Sequence, residues 1–244
     1  MALALPILKS RNQRNYFVPV LLLGLTIASV LHGLAIRGEF PSVTGTQATR
    51  LALDLVLLLM VVIGGRVIPA FSRNAVAGLT PRGWRLIEAT AIATPLVLLA
   101  ADTLAPGMTG PLWQAFCVLA AVIHLIRLAG WQPWKTLADP LLLVLPLAYL
   151  WIPIHLLLRA FEPALAVHAL TVGAMAGLMM AMMTRSALGH TGRPLQARTM
   201  ELLCLGAVHL AALCRVAGPL LAPGAYLQWL WLAATLWALS LIHI

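Results

Sequence analysis

The sequence predicts an all-α fold, a polytopic integral membrane bundle of about eight transmembrane helices. Hydrophobic residues make up 61% of the 244-residue chain and charged residues only 9%, a composition that soluble domains do not have. Long apolar segments also follow one another along the whole chain, with short polar turns between them. Since about 20 apolar residues cross a bilayer as a helix, there is room for many spans.

Eight spans are placed by these apolar segments and by the Pro, Gly and charged residues that separate them. They cover approximately residues 16–36, 46–71, 84–104, 112–129, 137–159, 164–188, 195–217 and 223–244. The connections are too short to hold a soluble domain, so residues 1–244 are interpreted as a single transmembrane domain. The fifth span contains Pro140, Pro146 and Pro153, which predicts kinks because proline removes a helical hydrogen bond.

The basic residues predict the orientation of the chain. Of its 16 Lys and Arg, one side of the membrane receives twelve: Lys9, Arg11, Arg14, Arg66, Arg73, Arg82, Arg85, Arg127, Lys135, Arg185, Arg193 and Arg198. The other side receives four: Arg37, Arg50, Arg159 and Arg215. Cytoplasmic loops carry the excess of Lys and Arg, so both termini are predicted to be cytoplasmic. The same rule explains the net charge of +9 without a nucleic acid partner.

The three cysteines do not predict a disulfide framework. Cys117 lies in the fourth span, and Cys204 and Cys214 are ten residues apart along the seventh, too far to be bridged within one helix. All three are expected to be small buried hydrophobic side chains.

Four histidines are predicted to lie in the half of the membrane away from the cytoplasm: His32, His155, His168 and His209. Ionisable groups within spans are functional candidates, and imidazole is a common ligand for copper and haem iron. We therefore predict a metal site built from some of these four. The alternative is that each one bonds to a neighbouring helix or is half hydrated at the interface. His124 and His190 belong to the cytoplasmic half, and about 33 Å of helix separates His190 from His168, so these two cannot share one metal.

The sixth span has two patterned faces. At roughly 100° per residue, Met175, Met179 and Met182 share a stripe with His168, and thioether with imidazole would suit Cu(I). The alternative is that the methionines only fill gaps in apolar packing. On the opposite face, the Gly173-x-x-x-Gly177 motif predicts the close approach of another helix.

Charged residues near the span ends have simpler interpretations. Asp54 follows Arg50 by one helical turn, which predicts an ion pair, with a proton or metal role as the alternative. The segment GGRVIP (64–69) is predicted to break the second helix and to place Arg66 at the membrane boundary. Three further residues are expected to be ordinary interfacial charges: Glu88, Arg198 and Glu201.

Two motifs resemble the NnrS family of bacterial membrane proteins: GGRVIPAFSRNAV (64–76) and HALTVGAMAGLMMAMMTRSALGHTGRPL (168–195). The similarity continues through residues 11–35 and 130–153. The resemblance implies an all-helical protein, of about twelve spans in the family, that carries haem and copper. It also implies a part in the response to nitric oxide during denitrification and nitrosative stress, whether as an enzyme, a metal handler or a sensor.

The resemblance also assigns roles to residues. The family pattern marks nine positions: Gly64, Gly65, Arg66, Pro69, His168, Thr184, Arg185, His190 and Arg193. His168 becomes the first candidate metal ligand, followed by His32, His155 and His209. Four residues are expected to contact the cofactor: Arg66, Arg185, His190 and Arg193. An arginine there would hold a haem propionate or reach lipid phosphate. Pro146 departs from the family, which often has histidine there, and His155 is the residue that would substitute.

The eight spans correspond to the last eight of twelve, so the chain is expected to be a fragment of a longer protein. Residues 239–244 match a translated transposase adapter and are expected to be an artefact, which removes His243 from the candidates. The expected location is the bacterial cytoplasmic membrane, with nitric oxide or a related small molecule as ligand. Two alternatives are a secondary transporter, for which inverted repeats are the expected sign, and a cytochrome-like electron carrier with paired histidines.

Overall fold

The computed structural model describes residues 15–40 and 42–242, and its regular structure there is entirely helical. Within these described residues, eight helices are long and apolar enough to cross a membrane. They are α1 (Phe17–Ile36), α2 (Gly45–Ala75), α3 (Arg85–Leu104), α4 (Pro111–Gly130), α5 (Pro140–Phe161), α6 (Pro163–His190), α7 (Thr199–Leu221) and α8 (Tyr226–Ile242). The prediction of an all-α, multi-pass membrane protein is confirmed. Four residues used in the sequence argument lie outside the described residues: Lys9, Arg11, Arg14 and His243.

Local signals explain where the helices begin. α5 begins at Pro140 because the Asp139 carboxylate accepts hydrogen bonds from the backbone N–H groups of Leu141 and Leu142, at 3.0 and 3.3 Å, and proline suits the first helical position. α7 begins at Thr199, four residues later than predicted. Its start is set by Glu201, whose carboxylate accepts from the Arg198 backbone N–H at 3.0 Å, as in a capping box.

The predicted break at residues 64–69 is wrong. α2 continues without interruption from Gly45 to Ala75 and contains Pro69 in its interior. Proline removes one hydrogen-bond donor, but a helix in an apolar environment has no solvent to satisfy the groups that a full break would expose. Arg66 is therefore an exposed residue within the helix, and the two glycines before it serve packing instead.

α6 changes its helical type along its length. Residues Ala169–Met175 are π-helical, and this segment begins directly after His168. The i→i+5 hydrogen bonds of a π-helix turn the chain less per residue than those of an α-helix. The stripe predicted for Met175, Met179 and Met182 assumed an unbroken α-helix, so its register is wrong. Met179 is 54% exposed.

The packing role predicted for Gly173-x-x-x-Gly177 is confirmed. A Cβ atom on Gly173 would collide with the Trp151 indole of α5. A Cβ atom on Gly177 would lie 2.9 Å from the Ala148 Cβ atom and 3.0 Å from the His209 Cε1 atom. The glycines therefore let α5 and α7 approach α6 closely.

The cysteine prediction is also confirmed. Cys117, Cys204 and Cys214 are buried and are not joined in disulfides, as expected for small apolar side chains within helices.

The chain divides into two compact units. The first unit consists of residues through Ile63 together with Ile92–Met108, and the second of Gly64–Ala91 and Thr109–Ile244. In the first unit, Asp54 is 1% exposed, and its pairing with Arg50 stays a prediction. In the second unit, α5 forms the core through its fully buried side chains: Leu141, Leu142, Leu145, Tyr149, Ile152 and Leu156.

Candidate functional site

The four histidines predicted to bind metal lie on four different helices. His155 of α5 is 3% exposed and His209 of α7 is 8% exposed, whereas His32 of α1 and His168 of α6 are half-buried. In the described part of the chain, no group of three or more His, Cys, Asp or Glu side chains is placed to hold a metal ion. The metal site stays a prediction, and the hydrogen bonds of each imidazole show which ring nitrogen would be available to a ligand.

His155 and His32 each donate a ring hydrogen to a backbone carbonyl. The His155 Nδ1 atom lies 2.8 Å from the carbonyl oxygen of Ala166, and the His32 Nδ1 atom lies 3.0 Å from that of Gly45. A carbonyl oxygen only accepts, so in a neutral ring Nδ1 carries the hydrogen and Nε2 carries the lone pair. Metal-binding histidines have this second contact, because it fixes the tautomer and the ring orientation. Both residues therefore fit a metal bound through Nε2.

His209 has the opposite tautomer. The Trp151 indole N–H donates to the His209 Nδ1 atom over 3.2 Å, so the hydrogen of the neutral ring lies on Nε2. Among the described residues this buried Nε2 atom has no hydrogen-bond partner. In this state His209 does not fit a metal ligand at Nε2. It would instead donate to a water molecule or to another small acceptor placed against it.

His168, which directly precedes the π segment, accepts a hydrogen bond from an arginine of α7. The Arg215 Nη2 atom of α7 donates to the His168 Nε2 atom over 2.7 Å. The same nitrogen donates to the Tyr226 hydroxyl at 3.2 Å, and the Tyr226 ring centre lies 5.5 Å from the guanidinium carbon. Metal coordination through His168 Nε2 would therefore require Arg215 to give up this hydrogen bond.

The four residues predicted to contact a cofactor on the cytoplasmic side have different surroundings. Arg66 is exposed on α2, and His190 is the exposed last residue of α6. The Arg185 guanidinium lies 4.9 Å from an aromatic ring of α2. Arg193 forms a surface ion pair with Glu201 at 3.2 Å. Their proposed contacts to a cofactor stay predictions.

A buried polar cluster joins α3, α4 and α5, and the sequence reasoning missed it. We call its four residues the Arg127 cluster: Glu88, His124, Arg127 and Tyr149. The Arg127 side chain is 2% exposed, and its Nε and Nη2 atoms donate to the Glu88 carboxylate at 2.5 to 3.1 Å. Its Nη1 atom donates to the Tyr149 hydroxyl at 2.9 Å. The prediction that Glu88 is an ordinary interfacial charge is wrong, because the planar guanidinium binds this carboxylate through two nitrogens.

The hydrogen bonds of the Arg127 cluster continue to His124, which is 0% exposed. The Tyr149 hydroxyl lies 2.7 Å from the His124 Nδ1 atom. Arg127 can only donate, so the hydroxyl oxygen accepts from it. A buried hydroxyl hydrogen also needs an acceptor, and since His124 Nδ1 is the other atom within hydrogen-bond distance, the hydroxyl is assigned as its donor. His124 then carries its own hydrogen on Nε2, a buried atom with no hydrogen-bond partner in the described part of the chain.

The Gly64-Gly65 pair makes room for this cluster. A Cβ atom on Gly65 would collide with the Arg127 guanidinium, and one on Gly64 would lie 3.4 Å from the Tyr149 Cδ2 atom. A sequence signal for the cluster did exist. His124 and Arg127 are three residues apart within a predicted span, so they share one helix face, and ionisable groups at such positions need partners. Arg127 was interpreted only as a cytoplasmic charge, so its need for a buried partner was not predicted.

Comparison with known proteins identifies the family. A family model described as NnrS protein matches residues 1–244. The chain belongs to the NnrS family. The comparisons with curated proteins and with solved structures gave no match.

The NnrS resemblance seen in the sequence is therefore confirmed. Its two motifs contain the glycines that allow close contacts between helices. Gly64 and Gly65 of the first motif face Tyr149 and Arg127. The second motif contains the Gly173-x-x-x-Gly177 face and also His168 with the π segment. Both motifs of this NnrS protein thus contribute close helix contacts around buried polar side chains.

Proposed function

We propose that this NnrS protein binds haem and copper in the bacterial cytoplasmic membrane and takes part in the response to nitric oxide. The family match over residues 1–244 supports the link to nitric oxide. When bound, haem iron or copper would supply a centre at which nitric oxide coordinates or exchanges an electron.

The ring state of His155 is the observation that carries the metal part of this proposal. Its Nδ1 atom is held by the Ala166 carbonyl, and the side chain is 3% exposed, so Nε2 is presented in an environment without bulk water. His32, which lies in the other unit, has the same kind of contact and is a separate candidate ligand. His168 and His209 were predicted as ligands with them. In our proposal they contribute hydrogen bonds near the metal. His168 would become a ligand through Nε2 only if Arg215 gave up its hydrogen bond to that atom.

Metal content and optical spectra of purified variants test this assignment. We expect His155→Gln to lose bound metal and to change the visible spectrum. His168→Gln should retain both, and it serves as the comparison for the His155 variant. Thermal unfolding of each variant would separate metal loss from misfolding. Unchanged metal and spectrum in a folded His155→Gln protein would contradict the assignment, and loss only in His168→Gln would favour the ligand predicted from the sequence.

Nitric oxide itself provides the second test. Anaerobic addition of nitric oxide to the reduced wild-type protein should shift its visible absorption bands, because the gas binds at the metal. Wild-type protein that contains neither haem nor copper would contradict the cofactor part of the proposal. Metal-containing protein whose spectrum does not respond would contradict the nitric oxide part.

Contacts to the polar edge of the cofactor are proposed for the four cytoplasmic-side residues predicted from the sequence. Arg185 is the strongest of them because it is half-buried, whereas Arg193 is paired with Glu201. We expect Arg185→Gln to weaken haem retention more than Arg193→Gln does. The haem-to-protein ratio after gel filtration is the measurement, and equal retention by the two variants would remove Arg185 from the site.

The cytoplasmic location of both termini can be tested by cysteine labelling. Glu39 and Gln196 are exposed in connections on opposite predicted sides. In a variant without the three native cysteines, a membrane-impermeant reagent should label position 39 in intact spheroplasts. Position 196 should react only after the membrane is opened. The reverse pattern would invert the proposed orientation.

A further inference from the structure

Arg215 is a cation within a membrane-spanning helix that has only neutral partners among the described residues. It donates to His168 and Tyr226 through Nη2, and no ion pair joins it to a carboxylate in the described part of the chain. A guanidinium has five N–H donors in a planar fork. Arg215 therefore has both an uncompensated charge and donors that could bind an anion.

An apolar crevice of about 190 Å³ lies beside this arginine. Apart from Arg215, it is lined by five residues of the π segment and α8: Val172, Leu230, Ala233, Ala234 and Trp237. For comparison, an apolar cavity of about 150 Å³ can hold benzene. The crevice thus has room for a single ring or for a short stretch of hydrocarbon chain.

The crevice runs along α8, away from the turn that joins this helix to α7. α7 and α8 pack together and are joined by the short turn Pro223–Ala225, so they are antiparallel. Arg215 lies six residues before the end of α7. Leu230 and Trp237 are about 10 Å apart along α8, with Trp237 farther from the turn. Arg215 is therefore about 9 Å from the turn, between the levels of Leu230 and Ala233, and the apolar lining continues past it to Trp237.

We propose that this crevice binds one anionic phospholipid, with its phosphate on Arg215 and part of one acyl chain along Leu230–Trp237. Guanidinium groups bind phosphate through parallel N–H···O bonds, and the phosphate supplies the missing counter-charge. The acyl chain covers apolar walls that face the bilayer. The π segment contributes Val172 to the wall and begins directly after His168, which agrees with the frequent occurrence of such segments at functional sites.

Native mass spectrometry of the purified protein titrated with phosphatidylglycerol tests the proposal. Diacylglycerol with the same acyl chains is the probe without phosphate. Arg215→Gln should weaken phosphatidylglycerol binding by roughly tenfold, as expected for losing charge-assisted hydrogen bonds. Ala234→Phe should weaken it similarly by filling the crevice from its exposed wall, with Arg215 still present.

Arg159→Gln is the matched control. Arg159 is also half-buried, and its guanidinium carbon lies 5.5 Å from the Trp113 ring centre, as that of Arg215 lies 5.5 Å from Tyr226. The wild-type and Arg159→Gln proteins should each retain one phosphatidylglycerol, and all variants should melt cooperatively.

Four results would overturn the proposal. The first is equal binding of phosphatidylglycerol by the wild-type, Arg215→Gln and Ala234→Phe proteins. The second is equal binding of diacylglycerol and phosphatidylglycerol by the wild type. The third is a loss of phosphatidylglycerol binding in Arg159→Gln as large as that in Arg215→Gln. The fourth is displacement of phosphatidylglycerol by a short-chain quinone from the wild type but not from Ala234→Phe, which would show that a neutral ring is the preferred occupant.

Discussion

Arg127 of α4 and Arg215 of α7 both lie within membrane-spanning helices, but their partners differ in charge. Arg127 is 2% exposed and binds the Glu88 carboxylate as well as the Tyr149 hydroxyl. Arg215 is half-buried and binds two neutral groups, His168 and Tyr226. Removing an ion from water costs several kcal/mol unless a counter-ion compensates it, whereas an arginine near the boundary can reach water or lipid phosphate. Burial therefore explains which arginine requires a carboxylate within the protein.

The largest expected effect comes from removing that carboxylate. Glu88→Gln should lower the free energy of unfolding by about 3 kcal/mol, the lower end of the range for buried pairs, because the Glu88 side chain is 33% exposed. Denaturant unfolding in detergent micelles would measure it. Arg193→Gln is the control, since it breaks an exposed pair with Glu201 and should cost about 1 kcal/mol or less.

A double variant sharpens this prediction. Replacing Arg127 by Met in the Glu88→Gln background removes the uncompensated cation, so part of the lost stability should return. If the double variant is less stable than Glu88→Gln alone, unpaired charge is not what destabilises the single variant.

Gly65→Ala tests whether the space for the Arg127 guanidinium is essential. The added Cβ would collide with that group, and overpacking of this kind costs about 1–3 kcal/mol. Gly206→Ala is the matched control on α7, because nothing lies within 4 Å of its new Cβ atom, and it should be neutral or stabilising by up to about 1 kcal/mol. Equal stability of the two variants, measured by thermal unfolding, would show that Arg127 adapts without loss.

Tyr149→Phe removes the group that links Arg127 to His124. Because both neighbouring nitrogens are buried, the loss should be about 1–3 kcal/mol. Tyr226 is 43% exposed, so Tyr226→Phe should cost about 1 kcal/mol or less. The comparison would fail if the two tyrosine variants unfolded at the same denaturant concentration.

The smallest effect is expected for Arg215→Gln. Since this side chain is half-buried and its partners are neutral, the change should cost about 1 kcal/mol or less, and lipid binding should respond more than stability. A loss as large as that of Glu88→Gln would mean that Arg215 is held as tightly as Arg127, and the explanation from burial would be wrong.

The sequence by itself determined the fold class, the eight helices, the role of the Gly173-x-x-x-Gly177 face, the state of the cysteines and the NnrS family. These features depend on local information. The length of an apolar segment specifies a span, and small residues one turn apart specify a face for close packing. Helix ends were predicted within a few residues where Pro, Gly or a capping carboxylate marks them.

Only the tertiary structure decided which polar groups meet. The bond between Arg127 and Glu88 joins residues on different helices, and no spacing along the chain encodes that pairing. The π segment of α6 altered the register of the methionines, because it depends on hydrogen bonds that periodicity cannot reveal. The tautomers of His155 and His209 likewise follow from the Ala166 carbonyl and the Trp151 indole. A histidine in a span is a candidate from sequence alone, but its partner decides whether it presents a lone pair or a hydrogen.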